Sequence, residues 1–279
     1  MNLEKIRKQS DSTILKFVLL GFTVAFYIGA LLAPDLNEIF SGFVRILTKP
    51  AVLTKDYFFL ELGSISGSCL NAGIIGTICC AMMFLPGMVA TGTTVAAFFL
   101  TVGFCFYGMN PLNLLPFVLG VFVYSRIKRQ PFAKFVNFAM FSTALAPLIS
   151  EVLFRYPGTE THGITLLGVA LALLIGVVTG CAMPALCAHS PGFHKGYDLY
   201  NAGPAAGFLC FLFFAVMYKT LGIEAPTIAA TLGEGNWAFV NVFCIITFAL
   251  CVVAGFFLSG KSFKGYKKVL MESGHSVDF

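Results

Sequence analysis

The chain has 279 residues, of which 58% are hydrophobic and only 11% are Asp, Glu, Lys or Arg, and its mean hydropathy is +0.87. Because soluble domains carry about 25% charged residues, this composition excludes a soluble globular protein. The formal net charge of +5 does not indicate nucleic-acid binding, because the basic residues lie in short clusters beside apolar runs. We therefore predict an all-α integral membrane protein, a polytopic helical bundle whose main partner is the lipid bilayer.

About eight apolar segments follow one another along the chain, and no Asp, Glu, Lys, Arg or His interrupts residues 62–125. A helix of about 20 apolar residues spans a bilayer. The segments are roughly 13–33, 64–85, 93–107, 112–125, 135–153, 163–186, 199–218 and 237–258. The first segment follows a basic N-terminus, as the apolar part of a signal peptide does. However, it is long enough to span the membrane, and no cleavage site follows it. We predict a transmembrane helix that is retained.

The segments divide the chain into four parts. Residues 1–34 form an N-terminal tail and a first span, and residues 35–56 form an interfacial segment. Residues 57–221 form the main membrane domain, and residues 222–279 form a last span and a basic tail.

The interfacial segment has an amphipathic pattern. Its polar face carries Asn37, Glu38 and Arg45, and its apolar face carries Leu36, Ile39, Phe40, Phe43, Val44 and Leu47. This spacing predicts a short helix that either lies on the membrane surface or packs as a helix within a loop.

Basic clusters set the expected orientation. Most Lys and Arg residues fall into three clusters: Lys5, Arg7, Lys8 and Lys16; Arg126, Lys128, Arg129 and Lys134; and Lys261, Lys264, Lys267 and Lys268. With eight crossings these clusters share one side of the membrane. Since basic loops are retained in the cytoplasm, we expect both termini to be cytoplasmic.

The third and fourth segments are short for a hydrocarbon core about 30 Å thick. They are joined by GMNPLN at residues 108–113. We therefore predict a broken or re-entrant hairpin within 93–125, which either crosses fully or enters partway and returns. Irregular backbone at membrane depth requires protein or a water-filled cavity to satisfy its polar groups. Asn110 and Asn113 are accordingly candidate contacts for a solute or ion.

The tripeptide Asn-Ala-Gly occurs twice within apolar segments, beginning at Asn71 and at Asn201. A buried amide needs a partner, since burying it alone costs about 2–7 kcal/mol. Pro204 suits the first turn of a helix, so we predict a helix beginning near Asn201, capped by Asp198 or Asn201, whose first turn faces a polar cavity. Each asparagine is a candidate solute contact, and helix packing is the alternative role.

Glu151 is embedded in the apolar run ALAPLISEVLF, one turn after Pro147. The proline should kink or break the helix and free a carbonyl. A carboxylate beside a broken helix could bind a cation or carry a proton. The alternative is that Glu151 lies near the membrane edge and reaches water.

The sequence shows no residue pattern typical of an enzyme active site or a metal centre. The nine cysteines lie in or at the ends of apolar segments, with no CxxC pair and no paired spacing with histidines. That distribution favours small buried hydrophobic residues over disulfides or metal ligands. No nucleophile–base pair or metal triad can be assigned to one leaflet. We predict no enzymatic activity, no cofactor and no metal.

Four motifs occur in the main membrane domain: LNAGIIG, FLTVGFCFYGMNPLNLLPFVLGVFVY, FSTALAPLISE and HKGYDLYNAGPAAGF. Together they resemble one family of bacterial membrane proteins, the family designated domain of unknown function 1576. The resemblance runs from about Asp56 to Leu221, with the tail YKKVLMESGHSVDF. It implies a bacterial cytoplasmic membrane as the location, and longer members look like two similar halves.

This chain resembles one half of those two-repeat members, and residues 57–221 are the repeat-like part. From the number of predicted membrane crossings, a second half would be inverted relative to the first, as in many secondary transporters. The resemblance implies that the chain pairs with a second half or forms a homo-oligomer. We expect a subunit of a transporter or channel for a small solute or ion. The alternative is a membrane scaffold or assembly subunit that transports nothing.

Overall fold

The computed structural model describes residues 3–51, 57–58, 62–158, 160–195, 200–224 and 237–271, and regular structure in these residues is helical. Within them, six helical segments are long and apolar enough to cross a membrane: Ser10–Leu32, Ile65–Met83, Phe132–Phe154, Leu166–His189, Ala202–Thr220 and Ala238–Leu258. Two apolar helices are shorter, Gly92–Phe104 and Pro111–Ile127. The fold is therefore that of a helical, multi-pass membrane protein.

The helices follow in the order α1 Leu3–Leu32, α2 Ile39–Thr48, α3 Ile65–Met83, α4 Gly92–Phe104, α5 Pro111–Ile127, α6 Val136–Ser142, α7 Ala146–Phe154, α8 Leu166–His189, α9 Pro191–His194, α10 Ala202–Phe214, α11 Trp237–Leu258 and α12 Lys264–Met271. A 3₁₀ turn, Thr143–Leu145, joins α6 to α7, and a π-helical turn, Ala215–Thr220, extends α10. Each predicted apolar segment overlaps helical residues, and the segment at 135–153 covers both α6 and α7. Six helical segments of the described residues are long enough to span, so the prediction of about eight membrane segments is not confirmed.

Successive long helices run in alternate directions, so the bundle has two ends. At the first, called the Lys16 end, Lys16 Nζ donates to Met88 O at 2.6 Å and Ser12 Oγ accepts from Ala90 N at 2.8 Å, which ties the start of α1 to the α3–α4 connection. At the opposite end, called the Asn110 end, lie the start of α3, the α4–α5 linker and the end of α7.

The start of α3 is capped from two directions. Ser64 Oγ accepts from Gly67 N at 2.8 Å, as a local N-cap does. The Asp35 carboxylate, which follows α1, accepts from Ile65 N at 2.7 Å and Ser66 N at 2.9 Å. A negative charge at a helix N-terminus stabilises it through the free N–H groups and the helix dipole, so Asp35 fixes α1 to α3.

The helices α5 and α8 pack against each other through glycines. A Cβ added at Gly120 would overlap Val177 O, and one added at Gly180 would overlap Phe117 O. Gly176 and Gly180 form a G-x-x-x-G pair, which lets two membrane helices approach to backbone contact. The two helices therefore meet at backbone contact.

The predicted amphipathic helix is observed as α2, and both alternatives for it have support. Gly42 lies against Ser64 at the start of α3, and the Arg45 guanidinium donates to Gly63 O at 2.8 Å, as expected of a packed helix. Phe40 and Val44 are 75% and 53% exposed, as expected of a helix on the membrane surface. Therefore one face of α2 packs against the start of α3, and another, apolar face is exposed.

Candidate polar site at the α4–α5 linker

The linker between α4 and α5, residues 105–110, is irregular backbone that is mostly buried, although Tyr107 is exposed. The sequence sets where α5 starts: Asn110 Oδ1 accepts from Leu112 N at 3.0 Å and Asn113 N at 3.1 Å. Asn113 Oδ1 accepts in return from Asn110 N at 2.8 Å. This is a reciprocal capping box, and Pro111 occupies the first helical turn, where its missing N–H is not needed.

Amide nitrogens of three predicted site residues bind backbone carbonyls around this linker. Asn71 Nδ2, from α3, donates to Cys105 O and Met109 O, each at 2.8 Å. Asn113 Nδ2 donates to Gly108 O at 2.7 Å, and Asn110 Nδ2 donates to Ile46 O at 3.0 Å. The structure thus brings Asn71, Asn110 and Asn113 together, and their amides satisfy carbonyls that hydrocarbon would leave unpaired.

Some oxygen atoms near the linker bind no partner. Among the described residues, Tyr57 Oη, Ser68 Oγ and Asn71 Oδ1 are buried and make no hydrogen bond. Ser68 lies one turn before Asn71 on the same face of α3, and both residues are fully buried. The Tyr57 hydroxyl lies beside Asn110, outside hydrogen-bond geometry, and burial raises the pKa of its phenol, so the hydroxyl is neutral.

Glu151 lies in a polar cluster next to the linker. Its Oε1 accepts from the Tyr218 hydroxyl at 2.9 Å, and its Oε2 pairs with Arg155 Nη1 at 3.4 Å. The preceding residue, Ser150, accepts from Asn113 Nδ2 at 2.9 Å, so the two clusters adjoin. The Glu151 side chain is 15% exposed. It therefore has a tyrosine and an arginine as partners.

The expected disturbance near Pro147 is present. The 3₁₀ turn Thr143–Leu145 interrupts the segment, and Pro147 lies in the first turn of α7. A proline inside a helix removes one hydrogen bond and clashes with the carbonyl four residues earlier, so the irregular turn lies just before Pro147.

The expected cap at Asn201 is wrong in its detail. The helix α10 begins at Ala202, as predicted, but the Asn201 side chain makes no cap hydrogen bond. Its backbone is left-handed, with φ 61°, and its Oδ1 lies 2.8 Å from His194 Nε2 instead. The Asn201 carbonyl accepts from Ser190 Oγ at 2.8 Å, so its hydrogen bonds are to the residues that follow α8 and not to the linker that Asn71 binds. Asp198 lies outside the described residues.

The first turns of α10 border a cavity of about 230 Å³, together with α4 and the turn between α6 and α7. Its lining is mostly apolar: Leu100, Thr101, Phe104, Met140, Phe141, Thr143, Ala144, Tyr200, Ala202, Gly203 and Ala206. The hydroxyls of Thr101 and Thr143 both donate to Met140 O. The prediction of a polar cavity at this helix start is therefore wrong, since the lining is mostly apolar and the hydroxyls of both threonines have a backbone partner.

Sequence reasoning missed Tyr57, Ser68 and Tyr218. The signal for Ser68 was its spacing of three residues from Asn71, which puts both on one face of a helix. Tyr57 and Tyr218 had no local signal, because their neighbours come from distant parts of the chain. Across the described ranges, no group of three His, Cys, Asp or Glu side chains could hold a metal ion.

Together, the fold and this site define a multi-pass helical membrane protein with a buried polar cluster at a helix hairpin. A family model described as "Protein of unknown function (DUF1576)" matches residues 35–219. The chain belongs to this family, which confirms the resemblance identified from the motifs. No curated protein and no solved structure matches the chain. The family match runs from the residue that caps α3 to the π-helical turn, so it includes the linker and the Glu151 cluster.

Proposed function

We propose that the protein is a subunit of a transporter or channel that moves a small solute or ion across the bacterial cytoplasmic membrane. The observation that carries this proposal is the unused hydrogen-bonding capacity of Tyr57, Ser68 and Asn71 inside an apolar bundle. Leaving a buried polar group unsatisfied costs about 1–3 kcal/mol. A polar solute that binds at the linker would form the missing hydrogen bonds and so recover that free energy.

The helix arrangement is of the kind that transporters use. Helices that stop within the bundle present carbonyl ends and N–H ends to a solute. Here α4 has 13 residues, and α6 and α7 have 7 and 9. In this proposal α4 and α5 complete eight crossings, both termini are cytoplasmic, and the Lys16 end faces the cytoplasm because the basic clusters lie there.

A second candidate is a scaffold that transports nothing, and a specific observation favours it. The amide nitrogens of Asn71, Asn110 and Asn113 are all occupied by backbone carbonyls, so each of these residues has a sufficient structural role. In either case the proposed partner is a second copy of the chain or a second repeat half, and the second half would be inverted relative to this one.

Two substitutions, Ser68→Ala and Tyr57→Phe, distinguish a transporter from a scaffold. Each removes a hydroxyl that bonds to none of the described residues. A scaffold should be unaffected or slightly stabilised, because an unsatisfied polar group is removed. A transporter that uses these hydroxyls should lose flux while its unfolding temperature is unchanged or higher.

The measurement is uptake into proteoliposomes for a panel of Na⁺, K⁺, phosphate and labelled amino acids and sugars. Ser10→Ala and Tyr266→Phe are matched controls, since both residues are exposed. Flux by the wild type that falls in both site variants and in neither control supports the proposal. Wild-type flux that is equal in all four variants would count against this site, and no flux for any solute would favour the scaffold.

A further inference from the structure

A long apolar groove separates α11 from α1 and α4. It consists of two adjoining cavities of about 540 and 600 Å³, which share Phe22, Phe99, Thr247 and Phe248 in their walls. The first cavity is strongly aromatic, with further walls from Phe26, Phe58, Phe106, Tyr107, Phe239 and Phe243. These volumes are within the range of sites that enclose small ligands, about 300–1,000 Å³.

The groove runs along most of the membrane-spanning length. One extremity is at Phe58 and Phe239, and the other is at Ile14 and Leu258. At 1.5 Å per residue, the stretch of α11 from Phe239 to Leu258 is about 28 Å long, which is comparable with the hydrocarbon core of a bilayer, about 30 Å. Thr247 Oγ1 donates to Phe243 O at 2.7 Å, within its own helix. The walls therefore suit a hydrocarbon chain.

The extremity formed by Ile14 and Leu258 has more positive than negative charge, because four lysines follow α11 and one carboxylate, Asp11, lies one turn before Ile14. After α11 the chain turns back, with Lys261 N donating to Phe256 O at 2.9 Å. Lys261 Nζ lies 5.8 Å from the centroid of the Phe257 ring, so this ammonium stays near the end of the groove. Lys264 and Lys267 follow on α12 and are exposed, and residues 237–271 contain no Asp or Glu.

We propose that this groove binds an anionic phospholipid, with an acyl chain between α1 and α11 and the phosphate at Lys261 and α12. Basic amphipathic helices attract anionic headgroups, and α12 exposes Tyr266 and Leu270 beside its lysines. A second copy of the chain is the competing occupant. Protein interfaces need a broad complementary surface, whereas a recess with one charged extremity matches a lipid with one charged head.

The structure offers a variant that fills the groove. Gly21 lines the second cavity, and a Cβ added there would have no atom within 4 Å. Because Gly21 lines the groove and the space around the added Cβ is open, we expect a leucine at this position to extend into the groove. Gly207, on α10, also has no atom within 4 Å of an added Cβ and lies outside the groove, so Gly207→Leu is the matched control.

The test uses the purified full chain in detergent, with phosphatidylglycerol or phosphatidylcholine of the same acyl chains added. Native mass spectrometry counts retained lipids, and thermal unfolding measures stabilisation. We expect phosphatidylglycerol to be preferred, by about fivefold for each lysine near the headgroup. The triple variant Lys261→Gln, Lys264→Gln, Lys267→Gln should lose this preference but still bind both lipids. Gly21→Leu should lose both lipids, and Gly207→Leu should lose neither.

Two results would overturn the proposal. The first is equal retention of the two lipids by the wild type, or a preference for phosphatidylglycerol that persists in the triple variant. The second is a lipid-independent dimer that dissociates in Gly21→Leu but not in Gly207→Leu, which would identify a second copy as the occupant.

Discussion

Replacing Asn71 by leucine removes the amide that binds the α4–α5 linker. Leucine fills a similar volume, so the change is chiefly the loss of two hydrogen bonds, to Cys105 O and Met109 O. Leaving both carbonyls unsatisfied costs about 1–3 kcal/mol each, and removing the unpartnered Oδ1 returns about 1–3 kcal/mol. The expected net loss of stability is about 1–3 kcal/mol.

For a chain of this size, 1 kcal/mol shifts the unfolding midpoint by about 2–4 °C, so Asn71→Leu should lower it by roughly 2–12 °C. Thermal unfolding in detergent, followed by circular dichroism, measures the shift. Ser68→Ala is the control one turn away, because its hydroxyl makes no hydrogen bond among the described residues. If Asn71→Leu unfolds at the wild-type temperature, or Ser68→Ala is destabilised as much, Asn71 does not stabilise the linker as argued.

The remaining predictions concern packing, capping and pH. Gly180→Leu should prevent α5 and α8 from meeting, so size-exclusion chromatography should give aggregated protein, whereas Gly207→Leu should remain monodisperse. Asp35→Asn should lower the free energy of unfolding by about 1 kcal/mol, measured as a lower midpoint, because the start of α3 loses a negative charge. Hydrogen bonds from Ser41 and then Arg45 lower the pKa of Glu38 below its ordinary value of 4.5. Its folded pKa is thus below its unfolded pKa, so this stabilisation is present above about pH 4.5 and is lost as the pH falls further. Thermal unfolding between pH 7 and pH 3 should show that loss, and Glu38→Gln should abolish this part of it.

Each of these three predictions has a result that contradicts it. Soluble, monodisperse Gly180→Leu would mean that α5 and α8 do not meet at the glycines. An unchanged midpoint for Asp35→Asn would mean that its charge does not stabilise α3. Identical pH profiles for the wild type and Glu38→Gln would remove Glu38 as the source of the acid sensitivity.

The parts of the fold that could be predicted from the sequence are those that depend on neighbouring residues. The apolar segment at 237–258 coincides with α11, and the segment at 163–186 overlaps α8, because hydrophobic length determines a membrane helix. The hairpin at Asn110 and Pro111 was predictable for a similar reason. An asparagine followed by a proline makes a helix start with no help from distant residues.

The parts that could not be predicted depend on residues that are distant in the sequence. Asp35 caps a helix that starts 30 residues later, and Tyr218 reaches Glu151 across 67 residues. The contact of Gly120 with α8 also needs the fold to be known, since small residues occur on many helices without meeting another. Asn201 shows the opposite error: its sequence fits a cap, but a left-handed backbone directs its side chain to His194.

The orientation of Asn71 narrows the chemistry of the proposed solute. Only the NH₂ group of the amide can donate to both Cys105 O and Met109 O, so these two carbonyls fix which way the side chain points. Its Oδ1 is therefore held in place as an acceptor, with the Ser68 hydroxyl on the same face of α3. An acceptor oxygen in a nonpolar surrounding attracts donors and positive charge and repels anions. In the proposed transport function, the species that meets Asn71 is thus a cation or an N–H or O–H donor.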